Sequence, residues 1–231
     1  MSRPEERDHI QEAYADYAAS PAKRRSWSSE NPGNRAIRIE LARSALAAGG
    51  PLLTSAQPVL DVGCGTGWWL EHLASSLEDP GALHGVDILP ERVEAARQRV
   101  PGATIAVADA RELPYPGGRF AVVSLFTVLS SMSGAGATED ALREAWRVLA
   151  SPGVLLVWEP RLPNPFNRNT TLITTRLVRR ALPDARLEIR TTTLLPALAR
   201  RLGARTGRLY PRLASVPLLR THRLVAAHRS S

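Results

Sequence analysis

From residue 58 onward, short and nearly continuous apolar runs alternate with longer stretches that carry apolar residues on one face only. Pro58–Val62, Leu83–Asp87, Thr104–Ala108, Phe120–Phe126 and Val154–Trp158 read as strands. The Phe120–Phe126 run is apolar almost throughout, as a central parallel strand buried on both faces requires. The intervening stretches have helical spacing. One runs from Gly67 to about Leu77, with Trp69, Leu70, Leu73 and Leu77 on one side. Another starts at Pro90, a good first-turn residue, and reaches about Val100. A third spans Glu139–Ala150 and ends before Ser151-Pro152-Gly153. Residues 111–118 form a turn-rich connection. Strands alternating with helices predict an α/β fold with a doubly wound parallel sheet.

The ends are less regular. Residues 5–19 have helical character, with Tyr14 and Tyr17 on one face, and Ser20-Pro21 ends them. A polar loop carrying Trp27 leads to a second helix at about 34–48, stopped by Gly49-Gly50-Pro51. After the fifth strand come a Pro- and Asn-rich loop (160–169), a helix at about 170–182 and a sixth strand, Arg186–Thr191. Leucines scattered among arginines and prolines over 194–220 predict short helices, and His222–Ala227 reads as a last strand. The expected organisation is one domain over 1–231. It comprises an N-terminal helical lid (1–50), a core (55–160) and a sheet-completing region (161–231) with a cap at 194–220.

Composition narrows the class. The chain has 231 residues, 44% of them hydrophobic, enough for one sizeable core. No run approaches the ~20 apolar residues of a membrane span. The polar start Met1–Asp8 does not read as a signal peptide, and a single cysteine, Cys64, excludes an internal disulfide framework and fits a cytoplasmic location. The net charge of +8 is uneven. Residues 1–158 hold 15 Lys+Arg and 19 Asp+Glu, and residues 159–231 hold 15 Arg and three acids. That asymmetry suggests an anionic partner for the C-terminal third. Only Lys23 is a lysine, however, so a compositional preference for arginine on a solvated surface accounts for the excess about as well.

The chemistry centres on Val59-Leu60-Asp61-Val62-Gly63-Cys64-Gly65-Thr66-Gly67-Trp68-Trp69-Leu70. A buried strand runs into a turn with three alternating glycines and then into a helix start, whose free N–H groups suit a carboxylate or phosphate. Acidic residues stand at the ends of four strands: Asp61, Asp87, Asp109 and Glu159. In an open α/β sheet, ligands sit beyond those ends, near the point where strand order reverses. Asp87 follows Gly67 by twenty residues, the offset at which a carboxylate meets a ribose diol. A bare strand-to-helix turn with acids acting as helix caps explains each feature singly but the set poorly. Dinucleotide sites use G-x-G-x-x-G, whereas this turn is G-x-G-x-G with Trp68 at the third-glycine position. Two adjacent indoles leave less room for a pyrophosphate. A methionine moiety is smaller, bringing a carboxylate for the N–H groups and an ammonium for Asp61.

VLDVGCGTG, GVDIL, VADA, FAVVSLFTVLSSM and LREAWRVLASPGVLLVWEP occur in this order over roughly residues 55–160. Together they resemble a class I S-adenosylmethionine-dependent methyltransferase. The resemblance implies a Rossmann-like seven-stranded sheet whose last strand is antiparallel, with S-adenosylmethionine as cofactor. It implies that Gly63, Cys64, Gly65 and Gly67 line the methionine and ribose, that Asp61 reaches the amino group, and that Asp87 and Ile88 hold the ribose side. Asp109 and Ala110 would meet the adenine, and Phe126 and Thr127 would border the sulfonium and acceptor. The chain departs from that pattern in two places. About thirty residues separate the last two strands, which the family usually joins in a close hairpin. Ser130-Ser131-Met132 stands where some relatives carry histidines.

Methyl transfer to a hydroxyl benefits from a general base. His222 and Glu159 are the candidates, because His72 and His84 fall where packing roles are expected. Tyr14, Tyr17 and Trp27 are candidates for a lid over the site. No cluster has metal-ligand spacing, so no metal is expected, and Cys64 reads as a small filler. The expected acceptor is small or medium, most simply a hydroxyl of a natural product or a sugar or glycan, anionic if the arginines take part, with a membrane surface as one setting. Aromatic residues make up only 5%, which disfavours nucleic acid as substrate. Nucleic-acid methylation, a nicotinamide-dependent reductase and a non-catalytic cofactor binder stand as the alternatives.

Overall fold

The computed structural model describes residues 25, 28–53, 57–75, 80–132, 134, 136–162 and 171–230. Tyr14, Tyr17 and Trp27 lie outside the described residues. Seven strands, β1 (Val59–Val62), β2 (Leu83–Asp87), β3 (Thr104–Val107), β4 (Phe120–Phe126), β5 (Leu149–Pro160), β6 (Arg186–Leu194) and β7 (Arg220–Arg229), form one sheet in the order β3-β2-β1-β4-β5-β7-β6. The first five pair in parallel, while β7 runs antiparallel to both β5 and β6. Strand order reverses between β1 and β4, so a crevice for ligand lies beyond their carboxyl ends.

The helices are α1 (Pro32–Gly49), α2 (Trp68–Ala74), α3 (Pro90–Arg99), α4 (Ala137–Val148), α5 (Thr175–Ala181), α6 (Pro196–Arg201) and α7 (Thr206–Ala214). Side-chain parity along the strands sorts them into two layers. Val154, Leu156 and Trp158 of β5 and Leu224 and Ala226 of β7 join a core with residues of α1, α2, α3, α6 and α7. Leu155, Val157, Val225 and Ala227 join the opposite core, with α4 and α5. The first layer carries the glycine turn and the cap, so the two halves of the site share it.

Most expected elements stand within a few residues of their observed limits. Helix α1 begins at Pro32, not residue 34, because Asn31 accepts from the Gly33 amide (2.9 Å) and Pro32 needs no partner at the first position. Helix α2 is described over Trp68–Ala74, with the Ser75 hydroxyl donating back to the His72 carbonyl (2.7 Å), and the expected Leu77 lies outside the described residues. Strand β5 starts at Leu149, ahead of Ser151-Pro152-Gly153, with an irregular register opposite Phe120 and Val122. Strands β6 and β7 are adjacent, and the residues between them form α6, α7 and short 3-10 turns.

That cap is pinned to α1. Gly33 lies so close to α6 that a Cβ there would come within 2.3 Å of the Ala199 carbonyl oxygen. Glu40 of α1 accepts from the Thr193 amide (3.0 Å) and from the Tyr210 hydroxyl (2.5 Å), joining the end of β6 to α7. Thr193 is fully buried with φ 69°, a left-handed conformation that a β-branched residue adopts only when its surroundings hold it there.

Candidate active site

The glycine turn is held from below by β2. The Val86 carbonyl accepts from the Gly63 and Cys64 amides (2.7 and 2.9 Å). Gly63 has φ 70°, and a Cβ on it would approach Val128 Cγ2 to 2.3 Å, so the turn nests under the loop after β4. Gly65 differs. Its φ is 55°, but an added Cβ would meet nothing nearer than Arg92 Nη1 at 3.7 Å, so its backbone faces open space where a ligand can come close.

Two carboxylates flank this turn. Asp87 Oδ2 accepts from the Gly65 amide (2.8 Å) and Oδ1 from the Leu89 amide (3.0 Å), leaving each oxygen a further lone pair. Ile88, half-buried, follows it. Asp61 is buried at 4% exposure beside β4, where Oδ1 accepts from the Ser124 hydroxyl (2.7 Å). Oδ2 has no hydrogen-bond partner among the described residues. Burial pushes the Asp61 carboxyl up to about 7, against the pull of the Ser124 hydrogen bond and with a further push from the Asp87 charge. A cation at Oδ2 would favour ionisation. Burial, with the charges of Asp61 and Asp87, also raises the Cys64 thiol, so it supplies no thiolate.

Asp109 is placed after β3 but is already engaged. Arg111 donates to both carboxylate oxygens (Nε to Oδ1 at 3.0 Å, Nη2 to Oδ2 at 2.6 Å), and the Arg111 amide donates to Oδ1 (2.8 Å). An adenine amine would share this carboxylate with the guanidinium. Ala110, half-buried, lies between them in sequence. The sequence reading did not include Arg111.

An aromatic wall continues the turn towards β7. Trp69 is wholly buried, its ring 5.5 Å from Phe126; Trp68, half-buried, lies 6.5 Å from Phe126 and carries the Arg38 guanidinium of α1 5.5 Å above it. Phe126 pairs in register with Trp158, and the His222 ring stacks on Trp158 at 4.3 Å and 13°. Thr127, exposed at the end of β4, has φ 58° and donates its amide to the Trp158 carbonyl (2.9 Å). Burial, then the charge of Arg200, lowers His222 to about 4, so it is neutral near pH 7. Its Nδ1 lies 3.1 Å from Thr221 Oγ1.

The two expected catalytic groups do not meet. Glu159 points to the opposite face of the sheet from His222, because Trp158 and His222 lie on the α1 side and Val157, Glu159 and Arg223 on the α5 side. Both of its oxygens accept from the loop after β4, Oε1 from the Leu129 amide (2.7 Å) and Oε2 from the Ser130 amide (3.3 Å). Glu159 therefore holds that loop in place. Its carboxyl is also pushed up to about 7 by burial. Of the two candidate bases, Glu159 is thus the one whose oxygens are engaged by backbone amides. Among the described residues, no group of three His, Cys, Asp or Glu side chains could hold a metal ion.

A family described as a methyltransferase domain matches residues 59–153, the span from the glycine strand to the start of β5's regular pairing. Residues 59–153, under half of the chain, thus resemble a class I S-adenosylmethionine-dependent methyltransferase domain. The chain is 35% identical over 106 residues to a dTDP-3-amino-3,6-dideoxy-alpha-D-glucopyranose N,N-dimethyltransferase of Streptomyces fradiae, covering 46% of this chain and 40% of that one. It is 33% identical over 111 residues to a demethylmenaquinone methyltransferase of Lactiplantibacillus plantarum, covering 46% and 45%. The chain thus spans less than half the length of these curated relatives. The fold extends further than the sequence similarity. Geranyl diphosphate C-methyltransferase of Streptomyces coelicolor superposes with a TM-score of 0.65 at 15% identity, over 84% of this chain and 80% of that one. The cyclase SpnF superposes at 0.60 and 21% identity, over 87% and 86%.

Three residues that touch the candidate site were not among the sequence candidates. Ser124 carried a signal, as the single polar residue in a buried strand directly across from Asp61. Trp158 was visible by parity with Phe126 once the strands were paired. Arg38 reaches Trp68 through tertiary packing alone, and nothing local announces it.

Proposed function

We propose that this chain uses S-adenosylmethionine to methylate a small or medium acceptor, most simply a hydroxyl of a natural product or of a sugar or glycan. The observation that carries the reading is the pair of carboxylates flanking an open glycine turn. Asp87 lies beside Gly65 with lone pairs to spare for a diol, and Asp61 keeps one oxygen for an ammonium. When bound, the sulfonium supplies an activated methyl group and a neutral thioether leaving group. The chain's own residues then bind, orient and exclude water. Gly63, Cys64, Gly65 and Gly67 shape the turn, Ile88 and Ala110 flank the ribose and adenine, and Asp109 meets the adenine amine in competition with Arg111. Phe126 and Thr127 border the transfer point, and Trp158 gives the acceptor a flat apolar surface.

His222 is the group best placed for the acceptor's proton. In the tautomer whose Nδ1–H donates to Thr221 Oγ1, Nε2 is an acceptor. A lowered pKa makes it a weak base. It acts as the hydroxyl oxygen bonds to the methyl carbon and its proton becomes acidic. Ring-bearing acceptors named for the relatives, an amino sugar carried on a nucleotide and a demethylated quinone, fit a flat wall of this kind. An amine acceptor that arrives neutral attacks through its lone pair and needs no base in the transfer step itself, which makes His222 the residue that separates the two chemistries. A cytoplasmic setting suits the buried, unreactive Cys64.

Calorimetry with S-adenosylmethionine, S-adenosylhomocysteine and NADPH, with mass spectrometry of ligands that co-purify, tests the class. The first two should bind and NADPH should not; the reverse would sink the proposal. Product formation is then read with hydroxyl, amine and ring-carbon acceptors. Cofactor binding with no product from any acceptor would favour a non-methylating role, of which the cyclase neighbour is a reminder.

A further inference from the structure

From Ile189 to Ser231 the chain contains no Asp or Glu and nine arginines. The cap between β6 and β7 exposes four of them. Arg201 at the end of α6, Arg205 in the following 3-10 turn and Arg208 and Arg212 on α7 are spaced four, three and four apart, and all are exposed. The inward positions of α7 are Thr206, Tyr210 and Ala214, which are buried, so Arg208 and Arg212 stand on the helix's outer face. None of the four has a carboxylate partner among the described residues. Just past α7 the chain turns through Val216-Pro217-Leu218-Leu219. Leu218 is 86% exposed there, more than any other large hydrophobic residue described, with Val216 at 41% and Leu195 at 42% beside the same turn.

We propose that this cap is a docking face for an anionic bilayer. Exposed arginines supply attraction to negatively charged headgroups, and a protruding leucine beside them is suited to the acyl boundary. Charge complementarity alone would also suit a nucleic-acid backbone. The exposed apolar tip has no use against phosphates, and the exposed positions of the cap lack the aromatic faces on which bases stack. The cap leaves β6 and re-enters β7 at the edge of the sheet where the strand ends converge. Docking therefore presents that edge to acceptors carried in or on the membrane. The inference rests on the cap's surface and not on methyl transfer, so either can fail without the other.

The test is co-sedimentation of the full chain with vesicles of phosphatidylcholine alone and of phosphatidylcholine mixed with phosphatidylglycerol. Binding should be at least about 30-fold tighter to the anionic vesicles and should weaken as salt is raised. The double variant Arg208→Glu, Arg212→Glu should lose most of that difference. Leu218→Ser, at a site too exposed to affect folding, should weaken binding about tenfold at unchanged charge. Circular dichroism confirms that both variants fold. Equal binding to both vesicle types, or no effect of Leu218→Ser, overturns the proposal. So does single-stranded RNA that binds more tightly than the vesicles and is indifferent to Leu218→Ser.

Discussion

The two halves of the strand-end crevice are built differently. On the β1–β3 side, short-range geometry does the positioning. A glycine turn is tied to the neighbouring strand by Val86, and Asp87 is tied to Gly65 and Leu89. On the β5–β7 side, positioning comes from residues far apart in sequence. His222 stacks on Trp158, Trp158 Nε1 donates to Thr192 Oγ1 (3.1 Å), and Glu40 reaches across to Thr193 and Tyr210. The first half is acidic and suited to a polar, partly cationic ligand. The second is neutral and aromatic inside and basic outside. A cofactor shared by many enzymes can be held by a local motif. An acceptor that differs between them is held by whatever the tertiary structure brings to the other side.

That contrast is sharpest if a change on one side leaves the other untouched. Asp87→Ala should weaken S-adenosylmethionine binding about 100-fold or more. It removes a charged acceptor for a diol, worth about 1.5–3 kcal/mol per hydrogen bond, and frees the Gly65 amide it now holds. Calorimetry gives the affinity and circular dichroism the fold. An unchanged affinity would contradict the assigned ribose role. His222→Gln should do the reverse, lowering turnover of a hydroxyl acceptor between about 10- and 100-fold with cofactor affinity unchanged. An equal loss of cofactor affinity would mean that the two halves are not separable at this wall. A turnover unaffected by His222→Gln would point to an amine acceptor.

The difference between the halves is also why one was legible in the sequence and the other was not. Gly63, Gly65, Gly67, Asp61 and Asp87 lie within 27 positions, and the roles proposed for them rest on turn geometry, a fixed spacing and the family resemblance. The strand-and-helix alternation gave the sheet for the same reason. Glu159 and His222 both stand at strand ends, and that alone does not tell on which face a side chain emerges. Pairing β5 with β7 separates them, since Glu159 sits opposite Arg223 and His222 opposite Pro160. The bond between Ser124 and Asp61 required knowing that β4 lies beside β1. The engagement of Asp109 by Arg111 was within reach at two residues' distance, but an Asp-x-Arg spacing is too common to stand out.

The two buried carboxylates give a pH test of the separation. Asp61 and Glu159 both have their carboxyls pushed up to about 7, above the ordinary 3.8 and 4.5. The folded chain then binds protons more tightly than the unfolded one, so their contribution to stability falls as pH rises from about 4 to about 7 and is constant beyond. Cofactor binding has the opposite sign and concerns Asp61 alone, because an ammonium needs the ionised form. Affinity should rise by up to about tenfold per pH unit below 7 and level off above it. Asp61→Asn should flatten the affinity profile and reduce the stability slope. Glu159→Gln should reduce the stability slope and leave the affinity profile as it is. Calorimetry and thermal melts across that range read both, and an affinity profile altered by Glu159→Gln would place that carboxylate nearer the cofactor than its loop contacts do.

The smallest expected effect bears on the least settled residue of the cofactor half. Arg111 covers the Asp109 carboxylate with two side-chain hydrogen bonds, and the pair is largely shielded, with side-chain exposures of 16% and 12%. If Asp109 accepts from the adenine amine, that hydrogen bond forms against the guanidinium's hold on the same oxygens. Arg111→Ala should then release the guanidinium's hold on the carboxylate and tighten S-adenosylmethionine binding by a few-fold, on the order of one neutral hydrogen bond. The Asx-type bond from the residue-111 amide to Oδ1 persists in the variant and keeps Asp109 oriented. Sinefungin-like analogues that keep the adenine should follow the same trend. A ligand ending at the ribose should be indifferent. No change for either would leave Asp109 as the clasp of its own turn, with the adenine held by the apolar flank of Ile88 and Ala110 alone.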